Sequence, residues 1–322
     1  MRTLTGPSAM PRYLAFLAVV AMGSFVLNVH FLPIAEFGED GFQSQLFRVL
    51  VSFQQDSLLV DGAENPLVFV HILRTLAVAP FLIAEAFAGA PAQLTMLCMV
   101  LIPLVRRMHR QSGSLFSLLP LVLPLAISGR AVLVAAGIAY IVTYLLSPRA
   151  SRLYLILGGL WVMLSSASIL MALLLLAFAT SRDRTRHYGM TRWFMMLALA
   201  LALGASAADK IVGFQSGQAG YAANGIDSNN VVLVALSRST VITSFIDGNY
   251  LRGLVYGLLS LYVLAKAVVL MISPGRGEMR RIVLCCLPGV PMEGLGMLAL
   301  IFPLLWLFIN YDPAVLGMPV RK

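Results

Sequence analysis

Long apolar runs separated by short charged clusters dominate this sequence and restrict it to few folds. The clearest runs cover residues 13–31, 66–88, 193–208 and 254–272. As helices, runs of about 20 apolar residues match the thickness of a bilayer core. Hydrophobic residues make up 59% of the chain and charged residues only 11%, too few to cover the surface of a soluble domain of 322 residues. The sequence therefore predicts an integral membrane protein.

The basic residues indicate topology rather than nucleic-acid binding. The formal charge is +9, but the basic side chains fall in short clusters between apolar runs instead of along one polar face. Such clusters mark the cytoplasmic side of a membrane protein. They occupy 106–110, 147–152, 181–192 and 273–281. We therefore expect these loops inside and no nucleic-acid partner.

This alternation predicts one all-α domain over residues 1–322, a polytopic integral membrane helical bundle of about 8–11 segments, some short or re-entrant. The first run, 13–31, lacks a small-residue cleavage pattern after it and is interpreted as a retained helix. Residues 33–65 hold six acids, whereas two arginines precede the first helix, which places that loop outside. A second outer loop is predicted at 207–252, and both loops are expected to line a site.

The topology between residues 66 and 110 stays open. Full crossings by 66–88 and 94–105 would put the basic cluster at 106–110 outside, against its charge. Either one of these segments is re-entrant or the N-terminus is outside.

The run at 153–178 is bounded by basic loops on both sides. A segment that enters and leaves by one face must be a hairpin of two short helices, which would turn near Ser165, Ser166 and Ser168. A single long tilted helix is the alternative. The last apolar region, 282–311, is read as one broken helix or two short ones.

Soluble-enzyme signatures are missing from the chain. It contains no GxxxxGK[ST], HExxH, CxxC or GxSxG. The four histidines form no metal-binding cluster, and Cys98, Cys285 and Cys286 lack ligand spacing and are expected to serve in packing. No metal or other cofactor is predicted.

The candidate functional residues are charged groups that the predicted topology gathers on the outer side, where ionisable groups near lipid are costly and usually have a function. Arginine clamps phosphate oxygens with paired donors, and a carboxylate takes a proton from an attacking hydroxyl, which suits a sugar carried on a lipid diphosphate. The candidates for catalysis are Asp40, Asp61, Glu64 and His71, and those for binding diphosphate or sugar are Arg48, Arg74, Arg130, Lys210, Arg238 and Arg252.

Arg74 and Arg130 have different alternative explanations. An arginine just inside the interface, such as Arg74, can simply snorkel or pair with Glu64. Arg130 stands alone between two short apolar runs, in the predicted break Ser128-Gly129-Arg130, where a turn has no need of a guanidinium group.

The order of these features resembles the EpsG or Wzy-type polysaccharide polymerases of bacterial envelopes, over roughly residues 37–180. The features that carry the resemblance are an acidic pair and an aromatic after the first helix (Glu39, Asp40, Phe42), an acid–proline–aromatic pattern (Glu64, Pro66, Phe69), a mid-chain arginine after a short helix (Arg130), a basic turn, and a small-polar hairpin (Ser165, Ser166, Ser168).

The resemblance implies a metal-independent glycosyltransferase of the bacterial inner membrane, distantly similar to the GT-C architecture, with its site on the periplasmic face. Its substrate would be an oligosaccharide repeat unit on undecaprenyl diphosphate, and its product an O-antigen or exopolysaccharide. The roles implied are stabilisation of the diphosphate by Arg74, Arg130 and Arg238, and proton acceptance by Asp40, Asp61 or Glu64, with His71 as a second candidate. Membrane lipid surrounds such a protein, and whether a chain-length regulator binds is left open. A lipid-linked glycan flippase or another polytopic transporter is the alternative.

Overall fold

The computed structural model of the chain is helical. It describes residues 67–112, 129–146, 151–178, 189–215, 240–246, 248–272, 277–289 and 301–311. These residues contain no strand, which confirms the all-α class for this part of the chain. The predicted first helix at 13–31 and the outer loop at 33–65 lie outside the described residues.

The helices are α1 (Leu67–Ser112), α2 (Gly129–Leu146), α3 (Arg152–Val162), α4 (Ser166–Phe178), α5 (Gly189–Gln215), α6 (Thr240–Ile246), α7 (Tyr250–Ile272), α8 (Gly277–Cys286) and α9 (Phe302–Tyr311), with a 3-10 turn at Leu287–Gly289. Among the described helices, three stretches are long and apolar enough to cross a membrane: Val68–Gly89, Gly189–Ala208 and Gly253–Ile272. They support a membrane protein. The larger number of segments and the assignment of inner and outer loops stay predictions.

Helices α2 and α3 form an antiparallel pair in which two glycines face each other. A Cβ added to Gly158 would lie 2.9 Å from the Gly137 carbonyl oxygen and 2.8 Å from Ile141 Cγ1. Without side chains at this crossing the two backbones approach closely, as small residues allow between membrane helices. The pairing brings the first turn of α2 beside the residues that follow α3.

Helices α3 and α4 fold back on each other at Met163–Ser165, which we call the hairpin tip. Two residues of α5 establish this geometry. Arg192 donates to the carbonyl of Leu176 in α4, and the side chain of Met195 lies over Gly159 in α3. Arg192 and Met195 are about 5 Å apart along the axis of α5. In an unbroken helix Gly159 and Leu176 would be about 25 Å apart. The predicted division into two short helices that turn near Ser165 is therefore confirmed, and a single unbroken helix is excluded; entry and exit by the same membrane face stay a prediction.

A kink divides α1 at Ala88 and Gly89, where the backbone leaves helical dihedral angles. Gly89 has a φ of 74°, which glycine adopts at little cost. Gln93 Nε2 donates across the kink to a carboxylate oxygen of Glu85 at 2.8 Å. The predicted runs 66–88 and 94–105 are thus both helical, and a kink rather than a loop joins them.

The second half of α1 packs far from the hairpin tip. The hydroxyl of Tyr140 in α2 donates to the carbonyl of Val100 at 2.7 Å, and the Tyr140 ring contacts that of Tyr154 near the start of α3. Of the two halves of α1, the first has the length and hydropathy of a span, whereas the described part of the second, Thr95–Leu104, is shorter. The topology of residues 66–110 stays open.

In the described part of the C-terminal apolar region, α8 ends at Cys286 and α9 begins at Phe302. Residues 290–300 between them lie outside the described ones, so both predicted forms stay open. Helix α8 begins at Gly277, so the basic loop predicted at 273–281 is partly helical. Cys285 and Cys286 are buried in α8, and Cys285 Sγ contacts the carbonyl of Leu174 in α4 at 3.4 Å. Both thiols serve in packing, as predicted.

Candidate functional site at the hairpin tip

Arg74 reaches the hairpin tip from α1. Its Nε donates to the carbonyl oxygen of Met163 at 2.8 Å, although the two residues are 89 positions apart. His71 lies one turn earlier on the same side of the helix and is buried. The apolar face that packs this part of α1 into the bundle consists of Val70, Ala77, Val78 and Phe81.

Arg130 reaches the same tip from α2. Its Nε donates to the carbonyl oxygen of Leu164 at 2.8 Å, and its Nη2 bonds to the same oxygen. The antiparallel pairing explains this contact, because Arg130 precedes Gly137 by about as much as Leu164 follows Gly158. The prediction that Gly129 and Arg130 belong to a break between helices is wrong, because both lie in the first turn of α2.

The tip carbonyls lie at the C-terminal end of α3. The N–H groups of Leu164 and Ser165 close its last turn with bonds to Trp161 and Val162, both of 3.2 Å. The last carbonyls of a helix lack intrahelical donors and carry a partial negative charge, so cations are favoured there. Two guanidinium groups nevertheless bring more positive charge than one helix end balances. An acidic group is therefore expected here, supplied by an anionic substrate or by an acidic side chain of the chain.

The start of α4 adds a positive helix end to the same place. Its first turn is buried, including the hydroxyl-bearing side chains of Ser166 and Ser168. The tip residue Ser165 accepts the first helical bond, from the N–H of Ile169 at 3.0 Å. The tip therefore combines two arginines, the negative end of α3 and the positive end of α4.

Arg192 is not among the residues predicted from the sequence, and it caps the C-terminal end of α4. Its Nη2 donates to the carbonyls of Leu176 and, at 3.4 Å, Ala177 in the last turn of α4. Arg280 of α8 caps α7 in the same way, because its Nε donates to the carbonyl of Leu270 at 3.2 Å. A basic residue shortly after a helix end is the signal that identifies such caps.

The structure brings together Arg74, Arg130 and the small-polar turn, with His71 one helical turn away. Two other candidates are placed only by their backbone. Lys210 lies within α5, because that helix continues past the predicted boundary at 208 to Gln215. Arg252 lies in the first turn of α7. Asp40, Arg48, Asp61, Glu64 and Arg238 lie outside the described residues.

In the part of the chain that the structure describes, no three His, Cys, Asp or Glu side chains are grouped so that they can hold a metal ion. Comparisons with protein-family models, with curated proteins and with solved structures give no match. Function is therefore inferred from the hairpin tip and the sequence pattern around it.

Proposed function

We propose that the chain is a membrane glycosyltransferase that polymerises oligosaccharide repeat units carried on undecaprenyl diphosphate, at the periplasmic face of the bacterial inner membrane. The observation that carries the proposal is the meeting of Arg74 and Arg130 at adjacent carbonyls of the hairpin tip. Arginine binds phosphate oxygens with paired donors, and a diphosphate has enough oxygens and charge for two such groups.

In the proposed reaction a hydroxyl of the acceptor sugar attacks the anomeric carbon of the donor glycan. The bond between that carbon and the diphosphate oxygen breaks, and undecaprenyl diphosphate leaves with the electron pair. Arg74 and Arg130 stabilise the charge that develops on the leaving diphosphate. A base takes the hydroxyl proton, for which His71 is the candidate closest in sequence to these arginines; Asp40, Asp61 and Glu64 are the carboxylate candidates.

The short hairpin supports a site at membrane depth. With 11 and 13 residues, α3 and α4 are about 17–20 Å long, so they reach past the middle of a core of about 30 Å without crossing it. A non-helical turn is tolerated at that depth when protein surrounds it. If the basic loops at 147–152 and 181–192 are inside, the tip reaches toward the outer leaflet, where the lipid-linked substrate would enter.

A transporter of lipid-linked glycans is the second candidate, and the helix break itself favours it. Transporters bind anionic groups at broken helices whose N-terminal ends point into the membrane. Helix α4 begins in this way, and α1 is kinked at Gly89. Both candidates bind the same diphosphate, so only the fate of the glycan separates them.

The test uses purified protein in detergent and a lipid-linked repeat unit from the same organism, without nucleotide or added metal. We expect a ladder of products spaced by one repeat, and no ladder with Arg130→Ala. If no ladder forms but the labelled lipid moves between the leaflets of reconstituted vesicles, the transporter becomes the proposed function in place of the polymerase. The absence of both activities would overturn the proposal.

A further inference from the structure

The first turn of α4 is a concentrated set of hydrogen-bond donors inside an apolar bundle. Ala167 and Ser168 are fully buried, and Ser166 is 8% exposed. The first N–H groups of a helix have no acceptor within the helix. Buried donors of this kind need an acceptor from elsewhere, and the positive end of the helix favours an anionic one.

Ser168 points to a missing acceptor at this turn. Its Oγ is buried and has no hydrogen-bond partner among the described residues. A serine within a helix can bond to the carbonyl four residues earlier, but for Ser168 that residue is Leu164, which precedes the helix. That carbonyl accepts both bonds of Arg130 instead. Because Cα–Cβ bonds tilt toward the N-terminus of a helix, the hydroxyl of Ser168 leans toward the hairpin tip.

A buried hydroxyl without a partner is costly, and native proteins contain few of them. The same hydroxyl becomes favourable when it donates to a charged oxygen, and such bonds are stronger than those between neutral groups. The arginines beside the tip and the positive end of α4 favour the same kind of ligand as this hydroxyl, an anion.

We infer that the first turn of α4, Ser166–Ser168, binds the diphosphate group of the lipid carrier, with Ser168 Oγ and the backbone N–H groups donating to its oxygens and with Arg74 and Arg130 beside them. The identity of the lipid carrier rests on the proposed function, whereas the binding of a diphosphate group does not. A lipid diphosphate and free pyrophosphate share this chemistry, so the test compares them.

Ser206 in α5 provides a matched control. It is also a buried serine, 3% exposed, and its Oγ likewise has no hydrogen-bond partner in the described residues. It lies in the interior of a long helix, however, away from any helix end. Replacing it therefore removes the same group from a place without a positive helix end.

The experiment titrates detergent-purified wild-type protein, Ser168→Ala and Ser206→Ala with farnesyl diphosphate and, separately, with inorganic pyrophosphate. Removing one donor to a charged oxygen should raise the Kd for farnesyl diphosphate roughly 10-fold in Ser168→Ala, while Ser206→Ala keeps the wild-type value. An unchanged Kd in Ser168→Ala would overturn the assignment. If pyrophosphate binds as tightly as farnesyl diphosphate, the lipid chain does not determine the affinity.

A second variant and a second readout complete the test. If Ser168→Ala does not fold, Ser166→Ala takes its place, with weaker binding expected and unchanged binding contradicting the site. Product ladders separate the two proposals. If diphosphate binding depends on Ser168 but no ladder forms, the polymerase is refuted and the binding site is retained. If a ladder forms and Ser168→Ala has an unchanged KM, the binding site is refuted and the polymerase is retained.

Discussion

The two ends of helix α4 are both held by arginines, yet they are built differently. At the C-terminal end Arg192 comes from the next helix, 15 and 16 residues along the chain, and bonds to the last turn of α4 itself. At the N-terminal end Arg74 and Arg130 come from 89 and 34 residues away and bond to the tip between α3 and α4.

This difference between the two ends of α4 distinguishes an arginine that caps a helix from arginines that are proposed to bind a substrate. One local arginine is sufficient at the C-terminal end, where it meets a partial negative charge. The tip has two arginines, and they lie beside the positive end of α4, which repels cations. Capping therefore explains Arg192 but does not explain why two cations meet at the tip. An acidic group beside the tip does, supplied either by an acidic side chain of the chain or, as proposed above, by an anionic substrate.

The largest effect is expected from truncating an arginine at the tip. Arg74→Ala should lower the rate of polymerisation at least about 100-fold, because it removes stabilisation of charge on the leaving diphosphate. The rate is measured with lipid-linked repeat units, and size-exclusion chromatography checks that the variant is folded. A folded variant with the wild-type rate would remove the distinction between the two ends of α4.

Packing of α2 on α3 should matter next, because it places Arg130 at the tip. Gly158→Ala puts a methyl group 2.9 Å from the Gly137 carbonyl and should cost about 2 kcal/mol, seen as a lower midpoint of thermal unfolding in detergent. Gly204→Ala is the control, since nothing lies within 4 Å of the added carbon. It should stabilise α5 by about 0.5–1 kcal/mol. Equal shifts in both variants would contradict the close approach of the helices.

The smallest effect concerns a polar bond remote from both ends of α4. Glu85→Ala leaves the amide of Gln93, which is 1% exposed, without its acceptor and should cost about 1–2 kcal/mol. Glu85→Gln keeps an acceptor and should cost less than about 1 kcal/mol. Thermal unfolding measures both. Neither variant should change the polymerisation rate, and a loss in Glu85→Gln would extend the functional site beyond the tip.

The sequence indicated the hairpin as one of two possible forms of 153–178. If the basic loops on both sides of 153–178 are inside, an even number of passes is needed, and the cluster of small polar residues at Ser165–Ser168 marks a place for the turn. The choice between a hairpin and one tilted helix was not predictable. It depends on contacts of α5 with Gly159 and Leu176, and side-chain periodicity does not encode such contacts.

The isolation of Arg74 and Arg130 in apolar sequence marked them as candidates, but it did not show that they meet. Their meeting depends on the register of α2 and α3, which Gly137 and Gly158 set through their lack of side chains. The proposed role of Ser168 was hidden for the same reason, since it depends on the carbonyl of Leu164 accepting from an arginine of another helix.

The central claim, that the tip arginines act on substrate while the arginine at the other end caps a helix, is tested most directly by Arg130→Lys beside Arg192→Lys. Lysine keeps the charge and can still donate to a carbonyl, but it lacks the paired donors of arginine. Product ladders and thermal unfolding are measured for both variants. We predict similar, small losses of stability, a ladder in Arg192→Lys and none in Arg130→Lys. Equal ladders in both variants would contradict the account.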